Sequence, residues 1–482
     1  LVRRTPTKHL YDAIVVGSQL AGALAACVLA KRGFSVLAIP HDGLAKPYVF
    51  RDYQFSHGPF LTGALDRIPT LDTVLNEIGL TSLKKTSVHS GLQLLRPRHW
   101  FELHPELGHR AREVARALGD SAGEAFLEAL DRAAKGHDPT DGFFSSKPDV
   151  PPDGWLARWK LKRHLARFEG LLTDSTLKSD DANEALLRSL SNFVAATQGP
   201  IVRSRTLSRL FPTPHTFLGG RESVFAALMA RARELGADVL DDERVSEIRF
   251  SGSSAAGVRL QHFNDDVRGL SVLAACDLSA LGPLLPESKQ PSCAKLASRL
   301  SVSHVVFSTH AVVPERAVPR GLGVLGLIEG TDRGLGPLLF ELSPAIKNGT
   351  ATGERVLTLS VHVSREFRQS GAEVLPKLID RMWQSTEDVL PFTRPHLVFE
   401  STPWRDAPDV RDGVVEPLPT YEVADSILGV TGLSTKSPWP RLFTTSREVL
   451  PGLGLEGEAI ASMRAVWAVE RLLKRTSLKS AR

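Results

Sequence analysis

Near the start of the chain, Gly17, Ser18, Gln19 and Gly22 have the types and spacing to hold a phosphate. They lie in "YDAIVVGSQLAGALAACVLAKRGFSVLAIPHDG", residues 11–43. A glycine turn leading from a strand into a helix leaves backbone N–H groups unpaired at the positive end of the helix dipole, which suits a pyrophosphate. In such a turn the first glycine makes the bend, the second admits the pyrophosphate and the third lets helix and strand pack closely. Gly17 and Gly22 fill the first and third places, but Gln19 stands in the second. The acid that would hold ribose hydroxyls at the end of the next strand is replaced by Pro40, with Asp42 two residues later.

A second glycine-rich helix entry, "PGLGLEG" at 451–457, opens the segment that ends the chain. The entry at Pro451, Gly452, Gly454 and Leu455 would leave N–H groups unpaired at the positive dipole end of that helix. A literal GxGxxG at Gly321, Gly323 and Gly326 is followed by turn-rich sequence, so it reads as loop and strand. His99, His104 and His109 recur every five residues, which does not align them on one helical face, so no metal site is expected. Lys436 and Trp439, just before the last strand, are the candidates for contact with a substrate, although a surface lysine and a packing tryptophan are the more ordinary reading. No nucleophile elbow, HExxH or P-loop occurs.

These residues need elements to position them. Ile14–Val16 and Ser35–Ile39 read as buried strands around an alanine- and leucine-rich helix, the alternation of a parallel sheet. A similar unit lies at 217–250, where "FLGG" precedes a helix with Val224, Phe225, Leu228 and Met229 on one side. "GVRL" and "LSVLAACDL" then read as an alternating pair of strands. The last helix repeats Ile460, Met463, Val466, Trp467 and Leu473 at helical spacing. Residues 105–200 are helix-like, with a Pro/Gly/Ser-rich break at 135–154, and 300–425 contain strand-like "SVSHVVFSTHAVV" and "RVLTLSVHVS".

At 482 residues the chain exceeds one ordinary core. A net charge of +5 spread over that length, with no basic tail or zinc, RNP or helix-turn-helix pattern, gives no reason to expect a nucleic-acid partner. Cys27, Cys276 and Cys293 are too few and too far apart for a disulfide framework and suit a reducing, cytoplasmic setting. The opening basic residues before an apolar run imitate a secretion signal, but that run belongs to the first strand and helix. No apolar stretch is long enough to span a bilayer. At 153–170, Trp155, Leu156, Trp159 and Phe168 alternate with Arg158, Lys160, Lys162, Arg163 and Arg167, which fits either an ordinary surface helix or one lying on the anionic inner face of a membrane.

The order of these segments resembles the phytoene desaturase and flavin amine oxidase superfamily, and "YQFSHGPFLTG" at 53–63 looks like that family's segment after the second strand. The resemblance implies an α/β fold: a discontinuous Rossmann-like FAD-binding domain (10–85, 215–285 and 426–475) with an interleaved α+β substrate domain (86–214 and 286–425) carrying a helical insertion. It also implies FAD as cofactor, with Gly17, Ser18, Gln19 and Gly22 at the pyrophosphate and Val245 at adenine. Pro451, Gly452, Gly454 and Leu455 would lie at the flavin, and an apolar small molecule would be the substrate. The departures at Gln19 and Pro40, and Ser446 and Arg447 near the flavin ribityl chain, keep two readings open. One is an FAD-dependent oxidoreductase moving hydride between a polyene, isoprenoid or amine and flavin. The other is a binding or scaffold protein that has kept the fold and lost the cofactor.

Overall fold

The computed structural model describes residues 5–480 apart from 41–44, 90, 98, 135–151, 153–154, 166–181, 212, 330–334, 371 and 414. Three separated stretches of chain meet in one parallel sheet, ordered Asp238–Val239, Val36–Ile39, Ala13–Val16, Val272–Ala274 and Leu442–Thr444. Its inner strands are unbroken apolar runs, as a sheet covered on both faces requires. Leu20–Lys31 follows the first strand as a helix buried from Leu20 to Ala30, and the helices Gly220–Glu234 and Gly454–Ser480 pack against it. Its small alanines let these neighbours approach closely. Mixed α/β architecture with a Rossmann-like parallel sheet and a second, mostly antiparallel layer is the fold expected from the sequence.

One pairing differs from the sequence reading. "GVRL" pairs with Asp266–Gly269 in a small antiparallel sheet, whereas Val272–Ala274 joins the parallel sheet. The reason is visible in burial: Val272–Ala274 is apolar and covered on both faces, so it belongs in the parallel layer and not at a half-solvated edge.

The second layer is a ten-stranded sheet built around three long antiparallel strands, Leu300–Pro314, Leu338–Lys347 and Thr350–Ser364. Successive side chains on a strand face opposite ways. On one face Phe307, Ala311, Leu357, Leu359 and Val361 share a core with Leu378, Met382 and Trp383 of the helix Leu375–Glu387. The alternate positions, Ser308, His310, Thr358 and Ser360, place polar groups on the opposite face, where Ser308 and Ser360 hydrogen bond at 2.9 Å. The Gly326 segment is the strand Leu325–Ile328, as its turn-rich sequel implied.

Candidate functional site

The turn at Gly17 is tight and needs its glycine. Gly17 takes φ +119°, and a Cβ there would lie 2.2 Å from the Ala275 carbonyl oxygen. A Cβ on Gly22 would meet the Ala275 Cβ at 2.2 Å, so this glycine brings helix and sheet together. What faces the helix start, however, is protein. Ser18 and Gln19 are buried, and the Gln19 amide donates from Nε2 to Asp277 Oδ1 at 3.3 Å while its Oε1 accepts from Arg221 Nη2 at 3.1 Å. The same Arg221 nitrogen pairs with Glu458 Oε2 at 2.7 Å. Glu458 Oε2 in turn accepts from the Ala21 amide at 3.1 Å, so a carboxylate of the terminal helix sits on the N-terminus of the first. That is the position a pyrophosphate takes in a working turn.

The crevice continues as ion pairs. Arg447 donates to Asp277 at 2.6 Å and to the Glu416 carbonyl at 3.2 Å. Burial works against the Arg447 charge, but the charge and hydrogen bond of Asp277 outweigh it and hold the guanidinium above the ordinary arginine range. Glu448 accepts from the Leu278 amide at 2.9 Å; burial first, and the Asp277 charge second, raise its pKa to about 8, so it carries a proton at neutral pH. At the start of the terminal helix, Glu456 takes a bidentate pair from Arg205 at 2.7 and 2.9 Å and a further contact from Arg209 at 3.3 Å.

The glycines of "PGLGLEG" are similarly engaged. A Cβ on Gly452 would lie 2.7 Å from the Gly429 carbonyl oxygen, and one on Gly454 2.5 Å from that of Val194. The Pro451 carbonyl accepts from the Ala196 amide at 2.8 Å. Beside Gly452, Leu455 and Glu456 lies a cavity of about 30 Å³, room for water and not for a ring system. Val245 is buried in a core with Leu37, Ile39 and Leu240. Trp439 lies in that same core, whereas Lys436 is exposed. Thus Gly17, Ser18, Gln19 and Gly22 converge with Asp277, Arg447 and Glu458 around one crevice, and Lys436 and Trp439 stand apart from those pairs. Among the other candidates, the rings of His104 and His109 meet edge-on at 4.2 Å. Asp42, Arg167 and Phe168 fall outside the described residues, as do the side chains of Arg158 and Lys162. Trp155, Leu156 and Trp159 are exposed on the helix Trp155–Leu165, and no helix among the described residues is long and apolar enough to cross a membrane.

A different cavity was not singled out from the sequence. It measures about 180 Å³ and lies between the polar face of the large sheet and the start of the helix Gly220–Glu234. Glu341, Thr358 and His310 stand directly across from one another on three adjacent strands and all line it. His310 Nδ1 and Thr358 Oγ1 are 2.8 Å apart. Burial lowers the His310 pKa to about 3, with the Ser56 carbonyl opposing part of that shift, so the ring is neutral. Burial, and then the neighbouring Glu222 charge, raise Glu341 to about 7. Glu341 keeps some accessible surface because the cavity touches it, yet its carboxyl behaves as a buried group. The signal available in the sequence was the alternation T-L-S-V-H in "RVLTLSVHVS", a strand with one polar face inside a core.

No family model and no curated protein matches this chain. Solved structures do resemble it. An oxidoreductase from Methanosarcina mazei superposes with a TM-score of 0.59 at 14% identity, covering 94% of this chain and 99% of its own. A putrescine oxidase variant with redesigned cofactor binding gives 0.57 at 15% identity, over 97% and 99%. Cyclohexylamine oxidase from Brevibacterium oxydans gives 0.55 at 17%, over 96% and 99%. The chain therefore has the fold of flavin-type oxidoreductases over nearly its whole length.

FAD, the cofactor this fold implies, does not fit the residues in the crevice. Arg221, Arg447, Arg205 and Arg209 are already matched by Glu458, Asp277 and Glu456, and a pyrophosphate would add negative charge to buried carboxylates. Gln19 fills the close-approach position as well.

Proposed function

We propose that this chain is a small-molecule-binding protein that keeps the flavin oxidoreductase fold and works without FAD in the usual seat. The observation that carries this reading is the Glu458 carboxylate bonded to the Ala21 amide and to Arg221, an anion supplied by the chain where the dinucleotide would supply its own. The test is direct. Purified protein is examined for flavin absorbance and then titrated with FAD; a colourless protein that takes up no FAD supports the proposal, and a yellow one with stoichiometric FAD overturns it.

The second reading is an FAD-dependent oxidoreductase acting on an apolar polyene, isoprenoid or amine. It draws on the likeness to amine oxidases along nearly the whole chain and on the retained Gly17 and Gly22. To bind FAD, Glu458 and Arg221 would have to separate and Gln19 to swing out, each at the cost of a buried contact. The proposal extends to a cytoplasmic setting without a nucleic-acid partner, to the domain division at 86, 215, 286 and 426, and to contact of residues 153–170 with an anionic membrane surface. Exposed Trp155 and Trp159 support that contact, and flotation with anionic vesicles tests it.

A further inference from the structure

The cavity beside Glu341 has the attributes of a built binding site. Its volume of about 180 Å³ is close to the roughly 150 Å³ of an engineered cavity that holds benzene. Phe55, Phe217, Leu342, Ile346 and Val356 supply apolar wall, and exposed Gln54 and Leu218 mark its rim. Into this space the Glu341 carboxyl projects with no hydrogen-bonding partner among the described residues. A ligand that covered this carboxyl without pairing with it would leave a polar group unmatched, so the ligand's head has to hydrogen bond to it.

The charges around the cavity select against charged ligands of both signs. The helix Gly220–Glu234 begins at the cavity wall, and its positive dipole end disfavours a cation. Glu222 in the first turn of that helix, hydrogen bonded to His57 Nδ1 at 2.7 Å, disfavours an anion. Arg355 lines the cavity from the strand beside Glu341, and its charge is offset by Glu315 at 3.3 Å. His310 is a neutral ring. With its pKa raised to about 7, the Glu341 carboxyl keeps its proton in a substantial share of molecules; in that form it is both donor and acceptor, and its best complement is a group that can be both as well.

We propose that this cavity binds a neutral molecule of about one aromatic ring bearing a single carboxamide or hydroxyl head, which pairs with the Glu341 carboxyl while the ring lies against Phe55 and Phe217. The inference deepens the binding-protein reading and rests on it only in needing no flavin. FAD titration decides that reading, and ring-sized probes decide this one.

The experiment uses the full chain with benzamide, benzyl alcohol, benzylammonium and benzoate as probes, followed by calorimetry or ligand-observed NMR. Benzamide or benzyl alcohol should bind in preference to both ions. Glu341→Gln, which keeps a donor and an acceptor, should retain neutral-probe affinity within about threefold, while Glu341→Leu should lose about tenfold. Glu341→Leu replaces an unmatched polar group with an apolar one, so its unfolding midpoint should not fall; a collapse of that midpoint would overturn the claim that the carboxyl is unmatched. Preference for benzylammonium, with its binding lost in Glu341→Gln, would show an ion-pairing site and overturn the proposal. So would preference for benzoate, or no binding of any probe at millimolar concentration.

Discussion

The Glu458 carboxylate and the Ala21 amide, 437 residues apart in sequence, are joined by a buried 3.1 Å hydrogen bond. Two helices that would otherwise flank a dinucleotide are thereby tied to each other. Removing only the carboxylate leaves Arg221 without its ion-pair partner, and breaking such a buried pair costs roughly 3–5 kcal/mol. Glu458→Ala alone should therefore lose stability without gaining FAD. Combined with Gln19→Gly and Pro40→Glu, it frees the helix terminus, clears the approach and supplies a ribose acceptor. We expect the triple variant to bind FAD at least about tenfold more tightly than the parent, read by flavin fluorescence quenching. Equal, measurable FAD affinity in parent and triple variant would show that Glu458 does not guard the seat.

Gly22 tests whether the glycine pattern survives for packing. A methyl group there would overlap the Ala275 Cβ at 2.2 Å. Gly22→Ala should destabilise by about 1–3 kcal/mol in urea unfolding, the usual range for overpacking. Ala275→Gly in the same chain removes the obstructing methyl and should restore much of the loss. If the second substitution restores nothing, the retained glycine has some other cause.

How much of this could be read beforehand depends on the distance over which each signal acts. The fold was legible because its signals are local: unbroken apolar runs at 13–16 and 36–39, helical spacing at 220–234 and 454–473, and glycines before two helices. The closure of the crevice was legible only as a set of defects, at Gln19, Pro40, Ser446 and Arg447. What else fills it is Arg221, Asp277 and Glu458, charged residues that belong to no motif and meet only after three chain segments converge. Glu341 was hidden for a related reason. Its strand "LLFELSPAIK" carries a single acid among apolar residues, and only the register with Thr358 and His310 shows that it shares a polar row.

The Arg205–Glu456 pair is the most enclosed ion pair of the crevice, with side chains 3% and 5% exposed. Arg205→Met leaves Glu456, among the described residues, with the Arg209 pair at 3.3 Å. We expect a loss of about 3 kcal/mol in equilibrium unfolding, the lower end for breaking a buried pair because one partner remains. Adding Glu456→Leu should recover part of it, since an apolar replacement of both partners avoids the desolvation cost. A double variant less stable than either single one would mean that the pair itself, and not the burial of an unmatched charge, dominates.

The pH dependence of stability follows from five buried groups. His215, His310 and His362 have pKa values lowered by burial from 6.5 to about 4, 3 and 4. Glu341 and Glu448 are raised, again chiefly by burial, from 4.5 to about 7 and 8. Stability rises with pH wherever the unfolded chain holds more protons than the native one. Between the unfolded values of 4.5 and 6.5 the unfolded chain protonates three imidazoles that the native chain leaves bare, and has lost two carboxyl protons that the native chain keeps. Three outweigh two, so stability climbs with pH in this window. Above 6.5 the imidazole difference disappears while the carboxyl difference persists to about 7 and 8, so stability falls. These groups place the optimum near pH 6.5, to be read from unfolding midpoints across pH 5 to 9. Glu341→Gln with Glu448→Gln should flatten the alkaline arm and steepen the acid arm, because the two carboxyls no longer offset the three imidazoles below pH 6.5. An alkaline arm equally steep in parent and double variant would show that both carboxyls are ionised in the native chain, contrary to the burial that defines both sites.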